Sequence, residues 1–195
     1  IKKTSTKPYL KKTIMKKLLL LITFFSLPLF SQNQHSFTYE NNQLEWIKVF
    51  ESSLSITEIK QIIKSKGMFK SINLEDNLIK GEVENIKCDY ENLGKSSWTT
   101  SFYIQNSNMN FSFYLKFKEG RYRVILNNIQ LKTIDELSTS NITVMSSNAI
   151  TPLSDYAIRK GKFRKGFLKS DAEIFEFTLT NLFKFNNYKK KKDDW

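Results

Sequence analysis

The clearest pattern in the chain is a strict two-residue alternation. Met109, Phe111, Phe113, Leu115 and Phe117 fall on one side, and Asn110, Ser112, Tyr114, Lys116 and Lys118 on the other. Successive side chains of a strand point to opposite faces, so this pattern predicts a strand with one face on a core and one in water. Glu119-Gly120 supplies a tight connection, because glycine takes positive φ without steric cost. Arg121 to Leu131 then returns with Tyr122, Val124 and Leu126 in phase, which predicts a hairpin over 109–131.

A different period occurs upstream. Ile56, Ile59, Ile62 and Ile63 recur at helical spacing behind Ser55-Ile56-Thr57-Glu58. That tetrapeptide has the spacing of a capping box, in which the Ser hydroxyl takes the third amide and the Glu reaches back. With Gly67 placed to end it, a helix is predicted over 56–66. Strands are predicted at 44–51, 69–74, 78–90 and from Trp98 to Ile104. Within 78–90 the apolar phase changes from Ile79, Gly81 and Val83 to Ile86, Cys88 and Tyr90, which predicts a bulge near Glu84–Asn85. A second capping-box spacing, Ser170-Asp171-Ala172-Glu173, precedes Phe175, Leu179, Leu182 and Phe183 and predicts a helix over 171–184. Residues 32–43 read as a flexible polar lead-in, and 132–166 show no regular period. The sum is one α+β domain over 44–187, an antiparallel β-sheet with two helices packed on one face, in the order β-α-β-β-β-β-α.

Charge at first points elsewhere. The 195 residues carry 31 Lys+Arg against 19 Asp+Glu, a net +12, and such an excess is the footprint expected of nucleic-acid binding. Its placement removes that reading. Met15-Lys16-Lys17 opens an apolar run from Leu18 to Phe30, which has the form of a signal peptide over 15–31. The run is shorter than the roughly 20 residues of a membrane span, and no transmembrane span is expected after cleavage. Residues 1–14 are expected to be translated upstream sequence or an extended basic n-region. Seven lysines and no acid lie in 1–31, so removing them leaves 24 bases against 19 acids. Lys189, Lys190, Lys191 and Lys192 of the basic tail 188–195 hold four more. The domain itself is mildly basic and is expected in the periplasm or outside the cell, with no nucleic-acid partner.

Three stretches together resemble a known family. Phe117-Lys118-Glu119-Gly120-Arg121-Tyr122-Arg123-Val124, Thr151-Pro152-Leu153-Ser154-Asp155-Tyr156-Ala157 and the Lys-rich end closing on Asp193-Asp194-Trp195, with the export signal, resemble an uncharacterised family of exported bacterial proteins, a domain of unknown function with a TATA-binding-protein-like fold. The resemblance spans most of 44–195. It implies the same strand–helix–strands–helix order, and it brings no activity and no catalytic residues. Nor does the fold label imply DNA binding, since one fold hosts unrelated functions.

Candidate chemistry is sparse. The chain has 1 Cys and 1 His, which leaves no intrachain disulfide and no Cys- or His-rich metal site. Cys88 is expected as a buried inert thiol, and His35 falls in the lead-in, away from any nucleophile. No Gly-rich phosphate cradle, metal site or cofactor motif is present. Glu82, Glu84, Asp89 and Glu91 are the one carboxylate cluster on which a hydrolase reading can rest. Two surfaces stand out for binding. Tyr114, Lys116, Arg121 and Arg123 should share the wet face of the hairpin. Arg159, Lys160, Lys162, Arg164 and Lys165 place five bases in seven residues, suited to an anionic envelope component or an envelope protein. The expectation is a non-catalytic envelope or secreted binding module, with an accessory subunit of an envelope assembly and a carboxylate-dependent hydrolase as alternatives.

Overall fold

The computed structural model describes residues 35–134 and 149–187. The segments expected as an extension (1–14), a signal peptide (15–31) and a basic tail (188–195) lie outside the described residues. The described elements are β1 (Phe37–Glu40), β2 (Gln43–Glu51), α1 (Ile56–Ser65), β3 (Phe69–Glu75), β4 (Leu78–Lys87), α2 (Phe102–Gln105), β5 (Ser107–Lys118), β6 (Arg121–Thr133), β7 (Ile150–Pro152), α3 (Leu153–Ala157), β8 (Ile158–Arg159), β9 (Lys162–Phe163) and α4 (Ala172–Phe183). Among the described residues no helix is long and apolar enough to cross a membrane.

The fold is α+β. Seven strands form one antiparallel sheet in the order β1-β2-β6-β5-β4-β3, with β7 pairing the far half of β6. The hairpin β5–β6 is its centre, and the predicted alternation holds. Met109, Phe111, Phe113 and Leu115 are buried, and Phe117 lies partly buried beside them. Three bulges interrupt the ladders, each at a residue with positive φ: Ser71, Asn85 and Asn128. The bulge expected near Glu84–Asn85 is there, and the Asn85 amide freed by it donates to Asn110 Oδ1 at 2.8 Å. An extra residue on one strand resets which side chains face the core. That is how Val83 and Cys88, of opposite parity, are both buried.

Helix α1 begins as expected. Ser55 Oγ accepts from the Glu58 amide while Glu58 reaches back to the Ser55 amide, and Ile59, Ile62 and Ile63 are buried. Helix α4 lays Phe183 against Trp46, Phe69, Phe111 and Phe113. Tilted and edge-on ring pairs of this kind add about 0.5–1.5 kcal/mol each beyond their buried area. Tyr122 fastens the end of α4: its buried hydroxyl donates to Phe183 O at 2.6 Å and accepts from the Phe185 amide at 3.3 Å. Burial pushes the Tyr122 phenol up to about 12, against the downward pull of the Phe185 amide.

Four expectations are corrected. Within the 32–43 lead-in, Phe37–Glu40 forms β1, because Asn41 and Asn42 both take positive φ, the geometry of a two-residue hairpin turn. Trp98 to Ile104 is not a strand but a 3-10 turn followed by α2, since the hydroxyls of Thr99 and Thr100 bond the local backbone instead of leaving it to a ladder. Ser170 is no helix cap; a π-turn over Phe167–Asp171 leads into α4, and Ser170 Oγ bonds back to Gly166 O. Residues 150–163, expected irregular, hold β7, α3 and the β8–β9 hairpin, whose turn residues Lys160 and Gly161 both have positive φ.

Candidate interaction surfaces

Alternation fixes what the free face of the sheet displays. In the β5–β6 register, Lys116 stands opposite Arg123, Lys118 opposite Arg121, and Tyr114 opposite Ile125. On the next strand Val49 stands opposite Arg123 and Ile47 opposite Ile125. Tyr114, Lys116, Arg121 and Arg123 thus share one face of adjacent strands. Lys116, Arg121 and Arg123 are exposed, and Tyr114 is half-buried. Val49 beside them is 51% exposed. Among the described residues, none of Lys116, Lys118, Arg121 and Arg123 forms an ion pair with a carboxylate. Two other cations of that face are paired, Lys70 with Glu84 at 2.7 Å and Lys80 with Glu75 at 2.5 Å, while Lys87 and Lys132, which flank Asn108 in the register, form no ion pair among the described residues. At the turn, a cleft of about 310 Å³ opens beside Arg121, with Ser55 and Asn77 on its wall.

The carboxylates of the hydrolase reading are not gathered around a cleft. Glu84 is held by Lys70, Glu82 accepts from Ser71 Oγ, and Asp89 binds the Asn92 side chain. Among the described residues no group of three or more His, Cys, Asp or Glu is arranged to hold a metal.

The basic run 159–165 divides in two. Arg159, Lys160 and Lys162 are exposed on the β8–β9 hairpin, and Lys165 is exposed beyond it. Arg164 is engaged: its guanidinium donates to Asp155 O at 2.8 Å and Ile158 O at 3.2 Å, closing the end of α3. All five bases stay exposed, and one of them, Arg164, also clamps the end of α3.

Two acids, Glu176 partly buried and Asp171 buried, tie these elements together, and neither stood out in the sequence. Glu176 on α4 accepts from Trp46 Nε1 at 2.6 Å, the Ser36 amide and hydroxyl at 2.9 Å, and Lys48 Nζ at 2.6 Å. Burial works to raise its pKa, but the bonds from Lys48, Ser36 and Trp46 outweigh it and hold the carboxyl below the ordinary range. Asp171 accepts from Ser101 Oγ at 2.7 Å and Tyr103 Oη at 2.8 Å. Burial, with the Asp171 charge added, drives the Tyr103 phenol upward and pushes the nearby Cys88 thiol up to about 12. A thiol so shifted stays protonated near neutrality and is a poor nucleophile.

A third exposed feature was not expected. Trp98, read as one of a strand's alternating residues, is 97% exposed, and Phe102 after it is 51% exposed. The loop beneath them is tightly bonded. Thr100 Oγ1 donates to Ser96 O at 2.9 Å, and Gln105 Nε2 donates to Ser97 O at 2.8 Å and Thr100 O at 2.7 Å. The hydroxyl-rich run Ser96-Ser97-Trp98-Thr99-Thr100 was the available signal.

No family model and no curated protein matches the chain. Two solved structures are similar to it. One is a TBP-like protein from Parabacteroides distasonis ATCC 8503, with TM-score 0.41 and 18% identity over 75% of this chain and 91% of that one. The other is a DUF4468 family protein from Bacteroides ovatus ATCC 8483, with TM-score 0.43 and 13% identity over 75% of this chain and 88% of that one. The first is TBP-like and the second belongs to a family of unknown function, the two terms of the resemblance seen in the Phe-Lys-x-Gly-Arg-Tyr-Arg hairpin.

Proposed function

We propose that the chain is an exported, non-catalytic binding module that presents the free face of its sheet to an anionic partner in the bacterial envelope. One observation carries the reading. Lys116, Lys118, Arg121 and Arg123 sit together without a described carboxylate partner, next to the apolar Val49, Ile47 and Ile125 and the ring of Tyr114. Like charges on adjacent strands repel one another, and Glu51, opposite Arg121 in the β2–β6 register, forms no ion pair with them. A surface that keeps them beside exposed apolar area gains most when a partner supplies the missing negative charge. The apolar run behind Met15-Lys16-Lys17 supports export, and the mild excess of the mature part supports an envelope partner over nucleic acid.

The test is affinity capture from envelope fractions with the intact chain, beside the variant Tyr114→Ala/Lys116→Ala/Arg121→Ala/Arg123→Ala. The partner retained by the native chain should fall by about tenfold or more in the variant, since exposed charge and ring contacts of this kind are the anchors of interfaces. Equal retention by both chains would remove the free face as the binding surface.

A further inference from the structure

Loop 96–105 and the basic hairpin β8–β9 belong to one end of the domain. Tyr103 of the loop stacks on Tyr156 of α3 at 4.1 Å and 13°. Residue Tyr156 lies two positions before β8. From the same loop, Ser101 and Tyr103 bind Asp171, and Lys95 pairs with Glu173 at 2.8 Å. Within a turn of Asp171, Leu168 is 38% exposed and Lys169 is exposed. The exposed rings of Trp98 and Phe102 and the cations Arg159, Lys162, Lys165 and Lys169 therefore sit around one bonded centre. Among the described residues none of those four cations forms an ion pair.

We propose that this end of the domain is a peripheral docking surface for an anionic lipid bilayer, with Trp98 as its interfacial anchor. Charge and shape together select that occupant. The cations need a surface of diffuse negative charge, and the polar headgroup layer of an anionic leaflet is one. A tryptophan that anchors a protein partner is enclosed by neighbouring contacts that exclude water. Trp98 has almost no such surround in this domain, yet the hydrogen bonds beneath it hold its backbone in one arrangement, so little order is lost on insertion. A projecting indole with an apolar body and one N–H donor suits the headgroup boundary, where aromatic belts concentrate. Lysine and arginine stems lie along the same boundary with their charges in water. The surface shares no residue with the free-face cluster, and its variants leave Tyr114, Lys116, Arg121 and Arg123 untouched.

The experiment uses the intact chain with phosphatidylcholine vesicles and with vesicles in which about one third of the lipid is phosphatidylglycerol. Binding is followed by co-sedimentation and by quenching of tryptophan emission with lipids brominated on the acyl chain. The expected result is retention on the anionic vesicles only, with quenching that Trp98→Phe largely removes. Arg159→Gln/Lys162→Gln/Lys165→Gln/Lys169→Gln should weaken retention by about tenfold or more. Every chain compared carries Trp195→Phe, so that only the buried Trp46 emits beside Trp98, and far-ultraviolet circular dichroism reports that both variants remain folded. Quenching unchanged by Trp98→Phe overturns the proposal even if the chain binds through its apolar N-terminal run. So does equal binding to both vesicle types, or no binding to either. Protection of Trp98 by a soluble protein in place of vesicles also overturns it.

Discussion

The two faces of the same sheet are built by the same strands and answer to different demands. On the core face Trp46, Phe113, Leu115, Tyr122, Val124 and Leu126 are all nearly inaccessible, and Trp46, Phe113 and Tyr122 each meet Phe183 of α4. On the free face the alternate residues Ile47, Val49, Tyr114, Lys116, Arg123 and Ile125 lie outside the buried core. Packing density makes the first set intolerant of change, while the second set is constrained only by strand geometry and charge. A position on the core face is therefore explained by stability. A cluster of unpaired cations on the free face has no such explanation, and this contrast is the reason for reading it as a working surface.

The comparison can be broken most forcefully at Trp46. Trp46→Ala removes a fully buried ring that also donates to Glu176, and should cost about 3–5 kcal/mol in chemical denaturation. A loss under about 1 kcal/mol would mean that the core face is far looser than drawn. Next comes Glu176→Gln, which strips Lys48 of its charge partner and should cost about 3 kcal/mol. Gly81→Ala follows. A Cβ there would lie 2.7 Å from Lys70 O and 2.9 Å from the Phe113 ring, so the strand must shift, at about 1–3 kcal/mol.

Acid should expose the same asymmetry. The Glu176 carboxyl is held below its ordinary value of 4.5, so the stability it adds is present above that pH and lost as pH falls through the lower folded value. His35 acts with the same sign. Burial lowers it from 6.5 against the opposing pull of Glu176, so the folded state favours the neutral ring and protons favour the unfolded chain below that pH. Melting temperatures measured from pH 7 down to pH 4 should fall, and the part of the fall nearest pH 4 should be absent in Glu176→Gln. The smallest effect belongs to the free face. Alanine at Tyr114, Lys116, Arg121 and Arg123 should each change stability by no more than about 0.5 kcal/mol, by denaturant titration. A larger loss at Lys116 or Arg123 would give those cations a structural role and weaken the proposed function.

Much of this architecture was legible in residue order. The alternation from Met109 to Lys118, the isoleucines behind Ser55 and the phase change at Asn85 each have a local cause, and each produced the element expected. The free-face cluster was legible for the same reason, since register follows from a two-residue turn. Where local cues were ambiguous, reading failed. Asn41-Asn42 looked like polar spacer and is a hairpin turn, because two asparagines tolerate the left-handed region that the turn demands. Trp98 kept an alternating phase yet lies in a turn, because hydroxyl groups took over its backbone bonding.

By itself, then, the sequence determined the α+β class, the central hairpin, α1 and the sharing of one face by Tyr114, Lys116, Arg121 and Arg123. These depend on contacts between residues near in the chain, which periodicity records directly. Only the tertiary structure decided that Arg164 clamps α3 while its basic neighbours stay free, that Glu176 ties α4 to Ser36, Trp46 and Lys48, and that Asp171 brings the Trp98 loop beside the basic hairpin. The Glu176 and Asp171 contacts join residues about 70 to 140 positions apart, and no period or local motif encodes a partner so distant; the Arg164 clamp is local, but a run of five bases does not say which one bonds the carbonyls at the end of α3.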